Sequence, residues 1–333
     1  MKIAIVILNW NGQQLLEKFL PSIINFSNLN NVEIVVADNA STDNSVHFLT
    51  QNYPKVKIIR LPINGGYAKG YNDALKHVNA DIYALVNSDI EVSENWLSPI
   101  IKTFKNEPNT AIIQPKILDY KNKKIFEYAG AAGGYIDKLG YPYCIGRIFS
   151  AIENDNQQYN DAANIFWASG ACFFIRSTVF HELNGFDEDY FAHQEEIDLC
   201  WRLQNLRKTI KYVGTSTVFH IGGATLKESN PQKTFLNFRN SLFTLTKNLP
   251  KKSLFPIIIS RLFLDAIACV KFVVELRPVH AVAILKAHLS FYSNLTKMLK
   301  KRKNMHKVQH YYSIKSIVWN HYINGVKSVN ELQ

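Results

Sequence analysis

The first 120 residues alternate short strand-like segments with helix-like segments, and this alternation restricts the fold more than any other feature of the chain. Apolar runs with β-propensity occupy residues 3–8, 32–37, 56–60 and 82–86. Residues 13–26 carry apolar side chains at helical spacing, and further helices are expected from about residue 44 and through residues 71–77. This order predicts an α/β fold with a doubly wound, mostly parallel sheet.

Polar residues follow each of these strands. Asn9 and Asn11 follow the first strand, residues 38–43 the second, residues 64–70 the third, and Asn87 and Asp89 the fourth. The carboxyl ends of parallel strands share one edge of the sheet, where open α/β folds bind ligands. These four segments are therefore expected to converge on one site.

The chemistry of this edge favours a nucleotide. Asp38 could accept hydrogen bonds from a base or a ribose, and glycines at 65, 66 and 70 would let backbone N–H groups approach a phosphate. The sequence has no GxGxxG and no GxxxxGKS or GxxxxGKT, which excludes a dinucleotide fingerprint and a P-loop. The glycine segment could equally be an ordinary β–α turn, and Asp43 could be a first-turn carboxylate of the next helix.

Asp89 stands at the end of the fourth strand with no Lys or Arg nearby in the sequence. Its carboxylate is therefore available for a hard cation, which takes oxygen ligands and bridges to phosphates. The alternative is a helix cap, with Asp89 or Ser93 capping the turn that leads into Trp96.

The middle of the chain is harder to interpret. Residues 121–165 are expected to form a long loop that serves as a lid or an acceptor surface, with a polar, mobile part at 153–161. Residues 165–176 predict a buried strand in which Gly170 lets another group approach the backbone.

An acidic segment opens the helix that begins near residue 195. Glu195, Glu196 and Asp198 fall in its first turn, where the helix dipole favours ionised carboxylates. A carboxylate can act as a general base when it lies within hydrogen-bond reach of an O–H group, and a glutamate of ordinary pKa, near about 4.3, is already ionised at neutral pH. Asp198 could also form an (i, i+4) ion pair with Arg202.

The net charge of +11 comes from the end of the chain. Residues 1–250 hold 24 basic and 24 acidic residues, whereas residues 251–333 hold 14 and 3. The apolar stretch 253–274 is interrupted by Arg261, Asp265 and Lys271, which indicates an amphipathic surface helix rather than a transmembrane one. A basic cluster follows it: Lys297, Lys300, Lys301, Arg302, Lys303 and Lys307. These features suit an anionic lipid leaflet; the alternative is a helical cap on the catalytic domain, and nucleic acid is disfavoured because no binding motif accompanies the charge.

The cysteines and the first residues favour a cytoplasmic protein. Four cysteines lie far apart without a CxxC or Cys/His pattern, which argues against a disulfide framework and a structural zinc site. The N-terminal apolar run of about seven residues is expected to be a strand and not a signal peptide.

Seven motifs in order resemble the family-two glycosyltransferases, and among them the rhamnosyltransferase-like enzymes of bacterial cell-surface glycan synthesis. They are IVILNWNG, VVADNASTD, NGGYAKGYNDAL, NSD, WASGACFFIR, NGFDEDYFAHQEEIDLCWR and VFHIGG, and they span roughly residues 1–245. The resemblance implies an A-type glycosyltransferase fold, a nucleoside-diphosphate sugar donor, a divalent cation and inversion at the anomeric carbon. It also implies a catalytic domain at 1–245, which leaves residues 246–333 as a basic helical extension.

The resemblance implies site residues as well. Glu196 matches the base and Glu195 its neighbour, while Asp89 and His220 match ligands of Mg²⁺ or Mn²⁺. Asn87 stands where the family often has Asp, and Glu196 where it commonly has Asp. The expected nucleotide-sugar contacts are Asn9, Asn11, Asp38, Asn64, Gly66, Lys69, Asn72, Asn87 and Arg239. The expected acceptor-side residues are Gly170, Ala171, Asp198 and Trp201.

The sequence thus predicts a metal-dependent inverting glycosyltransferase at the inner face of the cytoplasmic membrane. Its partners would be a nucleoside-diphosphate sugar, a glycan or lipid-linked acceptor and an anionic membrane surface, without nucleic acid. Two alternatives remain, a nucleotidyltransferase and a catalytically silent nucleotide-binding protein associated with the membrane.

Overall fold

The computed structural model describes residues 1–222, 230–302 and 306–332. Gly223, the last residue of VFHIGG, and Lys303 of the basic cluster lie outside the described residues. The strands are β1 Ile3–Asn9, β2 Val32–Asp38, β3 Lys57–Arg60, β4 Ile82–Asn87, β5 Ile90–Val92, β6 Thr110–Asp119, β7 Gly134–Ile136, β8 Pro142–Cys144, β9 Arg147–Ile148, β10 Ala151–Ile152, β11 Ala162–Asn164, β12 Cys172–Arg176 and β13 Thr209–His220.

The helices cover both faces of the sheet and most of the C-terminal part. They are α1 Gln13–Phe26, α2 Ser45–Asn52, α3 Gly66–Leu75, α4 Leu97–Asn106, α5 Ser177–Glu182, α6 Glu195–Asn205, α7 Pro231–Asn248, α8 Lys251–Val274, α9 Pro278–Arg302 and α10 Ile317–Tyr322. Short 3₁₀ turns lie at Glu188–Tyr190 and Val329–Leu332.

One mixed sheet organises the molecule. Within the described residues it has nine strands in the order β11-β13-β6-β12-β4-β1-β2-β3, with β5 paired to β13. Strands β4, β1, β2 and β3 are parallel, β12 runs antiparallel between β4 and β6, and β13 is parallel to β6. The predicted doubly wound α/β architecture is confirmed for the first half of the chain.

The central strands are apolar without interruption because helices bury both sheet faces. On β1, Val6 packs in the core on the side of Tyr71 from α3, whereas Ile5 packs with Leu16 from α1 on the other side. The register pairs Asn9 with Asp38 and brings Asn87 beside the end of β1. The polar strand ends therefore meet at one edge, as the sequence predicts.

Two predicted elements differ from the structure. The helix expected at 71–77 already begins at Gly66, and the strand expected at 165–176 is limited to Cys172–Arg176. The residues before β12 form other bonds: the N–H of Trp167 donates to the carbonyl of Gly134 at 3.1 Å, and the N–H of Ser169 donates to the side chain of Gln114 at 2.7 Å. The apolar run at 165–168 is thus buried without being a strand.

Residues 121–165 do not form the long free loop that we expected. They contain β7 to β10, which form a four-stranded antiparallel sheet. The polar part is held by Lys116, which binds Asp155 at 2.9 Å and Asn160 at 2.5 Å. The C-terminal segment covers this small sheet, where Asp137 accepts a hydrogen bond from the N–H of Ile317 at 2.9 Å.

The C-terminal helices begin with α7, which packs against both α6 and α9. Helices α8 and α9 form an antiparallel hairpin. Helix α7 continues past residue 245 to Asn248, and the expected domain boundary between residues 245 and 246 stays a prediction. Over the residues that the structure describes, none of these helices is long and apolar enough to cross a membrane.

Candidate active site

A hydrogen-bonded polar cluster forms where β1 and β2 end. The buried Asn9 donates from Nδ2 to Asp38 Oδ1 and to Ser41 Oγ, at 3.2 Å each. Asp38 also accepts from the N–H of Ser41 at 3.1 Å, and Asn11, at a φ of 50°, accepts from the N–H of Thr42 at 2.7 Å. The loop after β2 is therefore fixed in shape around Asp38.

Asp43 takes the first-turn role that we considered for it. Its Oδ1 accepts hydrogen bonds from the N–H of Ser45 at 3.1 Å and from the hydroxyl of Ser45 at 2.6 Å, at the start of α2. Burial alone would raise the pKa of Asp43, but these bonds and one from the N–H of Gln13 hold it below its ordinary value.

The glycine segment before α3 does not offer free N–H groups to a phosphate, contrary to our expectation. The N–H of Gly66 donates to Asn64 Oδ1 at 3.0 Å, and the N–H of Tyr67 donates to the carbonyl of Phe191 at 2.8 Å. Gly66 has a φ of 76°, and a Cβ there would lie 2.5 Å from that carbonyl. The glycine is thus needed for the approach of a protein loop.

Lys69 and Asn72 are also engaged with the protein. Lys69 lies 2.8 Å from Asp73 and 3.7 Å from Glu188. Asn72 donates to the carbonyl of Phe186 at 2.9 Å and accepts from the N–H of Phe186 at 2.9 Å. Their contacts tie α3 to the turn at Glu188–Tyr190, and their expected contact with the nucleotide sugar stays a prediction.

Asp89 is not a helix cap. Helix α4 begins at Leu97 after Trp96, without a side-chain cap, and the hydroxyl of Ser93 donates to the carbonyl of Thr217 at 2.7 Å. Asp89 is instead buried in the turn between β4 and β5, with its carboxylate facing His220.

His220 lies between two carboxylates. Its Nε2 is 3.1 Å from Asp89 Oδ1 and its Nδ1 is 3.2 Å from Glu127 Oε1. Both contacts are within ion-pair distance but lack hydrogen-bond geometry. The attraction is therefore one between charges. Burial alone would lower the pKa of His220, but the charge of Asp89 and then that of Glu127 raise it to about 10.

The donor atoms at Asp89 and His220 fit a divalent cation. The described residues contain no group of three or more His, Cys, Asp or Glu side chains placed to hold a metal ion. Mg²⁺ and similar ions are nevertheless often held by one or two protein ligands together with substrate phosphates. A cation here would take the place of the ring proton, because only the neutral imidazole has a lone pair to donate. The site therefore suits a cation that a diphosphate also binds.

Glu195 and Glu196 open α6 beside Gly170. Each has an Oε2 atom that is buried and accepts no hydrogen bond from the described residues. A Cβ built on Gly170 would lie 3.8 Å from Cδ of Glu196 and 3.3 Å from the hydroxyl of Tyr67, which donates to the Gly170 carbonyl at 2.7 Å. The carbonyl of the adjacent Ala171 accepts from the N–H of Asn87 at 2.9 Å. These contacts join the start of α6 to the strand edge.

The ionisation of these two glutamates differs from our expectation. Burial raises the pKa of Glu196 to about 7, although backbone N–H groups at the helix start act in the opposite direction. Burial, and then the charge of Glu196, raises the pKa of Glu195 well above its ordinary value. The helix dipole does favour the carboxylates, but desolvation is larger.

The loop before α6 has an unusual backbone that Asn240 holds in place. Phe191, His193 and Gln194 have φ values of 64°, 70° and 72°, which non-glycine residues rarely adopt. Asn240 Nδ2 donates to the carbonyls of Tyr190, Ala192 and His193 at 3.0, 3.0 and 2.8 Å. Buried amides of this kind can maintain a backbone that would otherwise relax.

Arg239 supports the same loop and does not point to a free diphosphate site. Its Nη2 donates to the carbonyls of Asp189 and Tyr190 at 3.1 Å each, and its guanidinium lies over the ring of Phe243. The expected contact of Arg239 with the donor stays a prediction.

Asp198 and Trp201 lie in the interior rather than on the acceptor side. Asp198 accepts from Arg202 Nε at 2.8 Å and is 2.8 Å from Lys247 Nζ, which confirms the (i, i+4) pair. Trp201 is buried against Phe166 and Tyr311. We assign both a structural role.

Three residues near the site escaped the sequence analysis. Glu127 lies in a segment without a readable pattern, and no sequence signal marks it. Tyr67 is part of NGGYAKGYNDAL, and burial, followed by the charges of Tyr71 and the two glutamates, raises its pKa well above the ordinary value. Asn240 follows Arg239 in the sequence. An asparagine next to a basic residue could have indicated a residue that supports a loop.

Comparison with known proteins tests the family. The model of glycosyl transferase family 2 matches residues 4–183, more than half of the chain. The chain is 24% identical over 221 residues to the N-acetylglucosaminyl-diphospho-decaprenol L-rhamnosyltransferase of Mycobacterium tuberculosis, a match that covers 62% of this chain and 71% of that protein.

Two solved structures test the fold. GalNAc-T7 with UDP, GalNAc and Mn²⁺ has a TM-score of 0.55 at 18% identity and covers 66% of this chain, which spans 43% of that protein. A mannosyltransferase from Pyrobaculum calidifontis in complex with GDP-Man and Mn²⁺ has a TM-score of 0.53 at 14% identity, over 90% of this chain and 84% of that one. The predicted A-type fold with a C-terminal helical region is confirmed. With the ordered motifs and the family match, these likenesses identify the chain as a member of glycosyl transferase family 2.

Proposed function

We propose that this protein is an inverting glycosyltransferase that moves a sugar from a nucleoside-diphosphate sugar to a hydroxyl of a glycan or lipid-linked acceptor. The observation that carries the proposal is the Glu196 carboxylate in the first turn of α6. Its buried Oε2 accepts no hydrogen bond from the described residues, and Gly170, which has no side chain, lies beside it. A carboxylate with a free lone pair and a pKa of about 7 is suited to remove a proton from a hydroxyl at neutral pH.

The proposed reaction is a single displacement. Glu196 takes the proton of the acceptor hydroxyl as its oxygen forms a bond to the anomeric carbon. The bond from that carbon to the diphosphate breaks on the opposite face, and its electron pair leaves with the nucleoside diphosphate. Glu195 is buried next to Glu196 and acts as a positioning residue.

The donor would lie along the strand edge. Asp38, held by Asn9 and the loop containing Asn11, would contact the nucleoside, while Asn64 and Asn87 line the same edge. Asp89 and His220 would hold Mg²⁺ or Mn²⁺. When bound, the cation supplies positive charge to the leaving diphosphate. GalNAc-T7 and the Pyrobaculum mannosyltransferase, two solved structures that share the fold, contain Mn²⁺, which supports this choice of cation.

The acceptor is the finer part of the proposal. The mycobacterial relative is named for a decaprenol diphosphate acceptor, which supports a lipid-linked acceptor for this chain as well. Such an acceptor would place the protein at the inner face of the cytoplasmic membrane as a peripheral protein.

The test is transfer from a panel of labelled nucleotide sugars in the presence of Mn²⁺, with product stereochemistry determined by NMR. We expect release of a nucleoside diphosphate and a product of inverted configuration. Glu196→Gln should abolish transfer while calorimetry shows unchanged donor binding, and the exposed Glu94→Gln serves as the control. Release of a sugar 1-phosphate, the leaving group of an attack at phosphorus, would identify a nucleotidyltransferase, and binding without turnover would identify a silent nucleotide-binding protein.

A further inference from the structure

The outer face of the α8–α9 hairpin is apolar. Exposed apolar side chains recur in α8 every three or four residues: Phe255, Ile259, Phe263, Ile267, Val270 and Val274. This spacing aligns them in one stripe along the helix. The stripe ends at the tip of the hairpin, where the Leu276 side chain is 88% exposed.

Helix α9 extends the same face. Its exposed apolar residues are Val282, Leu285, Leu289 and Tyr292. The helices lie side by side, because His288 Nε2 of α9 is 3.0 Å from Asp265 Oδ2 of α8. A groove of about 290 Å³ between α9 and the start of α7, lined in part by Phe235, Val282 and Lys286, continues the surface. Apolar surfaces of this extent usually mark an interaction site.

Two charged side chains in the middle of α8 point inward instead. Arg261 and Asp265 are 3% and 1% exposed. Arg261 donates to Ser241 Oγ at 2.7 Å and lies over the ring of Tyr141. A helix packed on a protein in water normally shows the opposite arrangement, with the apolar side inward. This polarity suits a surface whose outer side is covered by an apolar medium.

The charge around the face favours anionic lipid as that medium. Residues 251–302 contain ten lysines and arginines and two acidic residues. Lys251, Lys252 and Lys286 are exposed, and among the described residues none of them lies within ion-pair distance of a carboxylate. Lys286 stands on the helix face of Val282 and Leu289, so its ammonium can reach a headgroup while its stem covers apolar surface.

The basic cluster that the sequence suggested for this role is engaged elsewhere. Lys297 lies 2.5 Å from Asp189, and Lys301 lies 2.7 Å from Asp189 and also contacts Asp187. Arg302 donates to the carbonyl of Thr246 at 3.1 Å. Burial, and then the charge of Arg302, lowers the pKa of Lys307 to about 8. Lys297, Lys301 and Arg302 therefore bind the protein and are not available to lipid.

We propose that the outer face of the α8–α9 hairpin docks on an anionic bilayer, with the apolar stripe at the acyl boundary and the unpaired lysines at the headgroups. The hairpin lies in the interface and does not span the bilayer. This inference deepens the proposed function, on which it rests for the lipid-linked acceptor that the bilayer would present.

The test is flotation of the full chain with vesicles of equal parts phosphatidylglycerol and phosphatidylcholine. The wild type should float, and less so in pure phosphatidylcholine or at high ionic strength. Phe263→Glu/Leu289→Glu changes side chains that are 66% and 70% exposed and should reduce partitioning about tenfold or more. The control, Phe26→Glu/Leu29→Glu, makes the same replacements at exposed positions at and after the end of α1, far from the hairpin in sequence, and adds the same charge. It should float like the wild type.

Three results would overturn the proposal. In the first, the wild type does not float with the vesicles. In the second, the two double variants float equally well. In the third, the wild type is a dimer, and Phe263→Glu/Leu289→Glu converts it to a monomer without loss of lipid binding. Circular dichroism checks that each variant is folded. Donor hydrolysis is measured separately, so flotation without turnover would refute the proposed enzyme while leaving the docking surface intact.

Discussion

Lowering the pH should inactivate the enzyme by protonating Glu196. With a pKa of about 7, the carboxylate form falls from about nine tenths at pH 8 to about one tenth at pH 6, so the rate of transfer should fall about tenfold. A glutamate of ordinary pKa would be almost fully ionised at both values and would give a nearly constant rate. The size of the change thus reports directly on the burial of this side chain.

The same burial should appear in stability. Because the folded-state pKa of Glu196 is raised, its contribution to stability is fully present below pH 4.5 and is lost as the pH rises through about 7. The rise from 4.5 to about 7 corresponds to about 3 kcal/mol at high pH. Glu196→Gln should remove this loss, so the variant should be more stable than the wild type at pH 8 and similar to it at pH 4. Urea unfolding at both pH values measures the difference.

The assay measures initial rates of transfer at each pH. Donor and Mn²⁺ are kept saturating because the charge of His220 also affects cation binding. Glu94→Gln, an exposed carboxylate, should keep the wild-type profile. A rate that changes less than about twofold between pH 6 and pH 8, together with an unfolding free energy of Glu196→Gln that follows the wild type, would refute the reasoning.

Three further changes test other parts of the site. Asp89→Ala should weaken binding of Mn²⁺ and of the nucleoside diphosphate together, since the cation bridges protein and phosphate; calorimetry that shows unchanged diphosphate affinity with and without Mn²⁺ would contradict this. Asn240→Ala should cost about 2–4 kcal/mol of unfolding free energy and increase amide exchange in residues 190–194, because the carbonyls of Ala192 and His193 lose their donor and that of Tyr190 loses one of its donors. Gly66→Ala should destabilise the protein by at least about 1 kcal/mol in thermal unfolding, because a side chain there conflicts with a φ of 76° and with the Phe191 carbonyl; an unchanged melting temperature would show that the loop can move aside.

The sheet could be predicted from the sequence because its signal is local. Each central strand is a continuous apolar run that stops at a polar residue, and parallel pairing then forces Asn9 and Asp38 to the same edge. The first turn of α6 was predictable for a similar reason, since acidic residues precede an apolar helical pattern. These features need no knowledge of distant contacts.

The partners of the polar side chains were not predictable in the same way. Lys69 and Arg239 have the chemistry of phosphate ligands, and only the fold shows that Glu188 and the carbonyl of Tyr190 take up their donors. The raised pKa of Glu196 depends on desolvation by segments far away in the sequence. Glu127 was missed because its role rests on a contact with His220, 93 residues later in the chain.

The ion pairs between α9 and the turn before α6 have a consequence for how relatives of this protein can diverge. Lys297 and Lys301 neutralise Asp187 and Asp189, which stand next to the loop that presents the two glutamates. An exchange of the helical extension between relatives would leave these acids unpaired unless the donor sequence carried matching cations. The extension and the acidic turn are therefore expected to evolve as one unit, and a chimaera that restores both partners should regain the stability that a mismatched one loses.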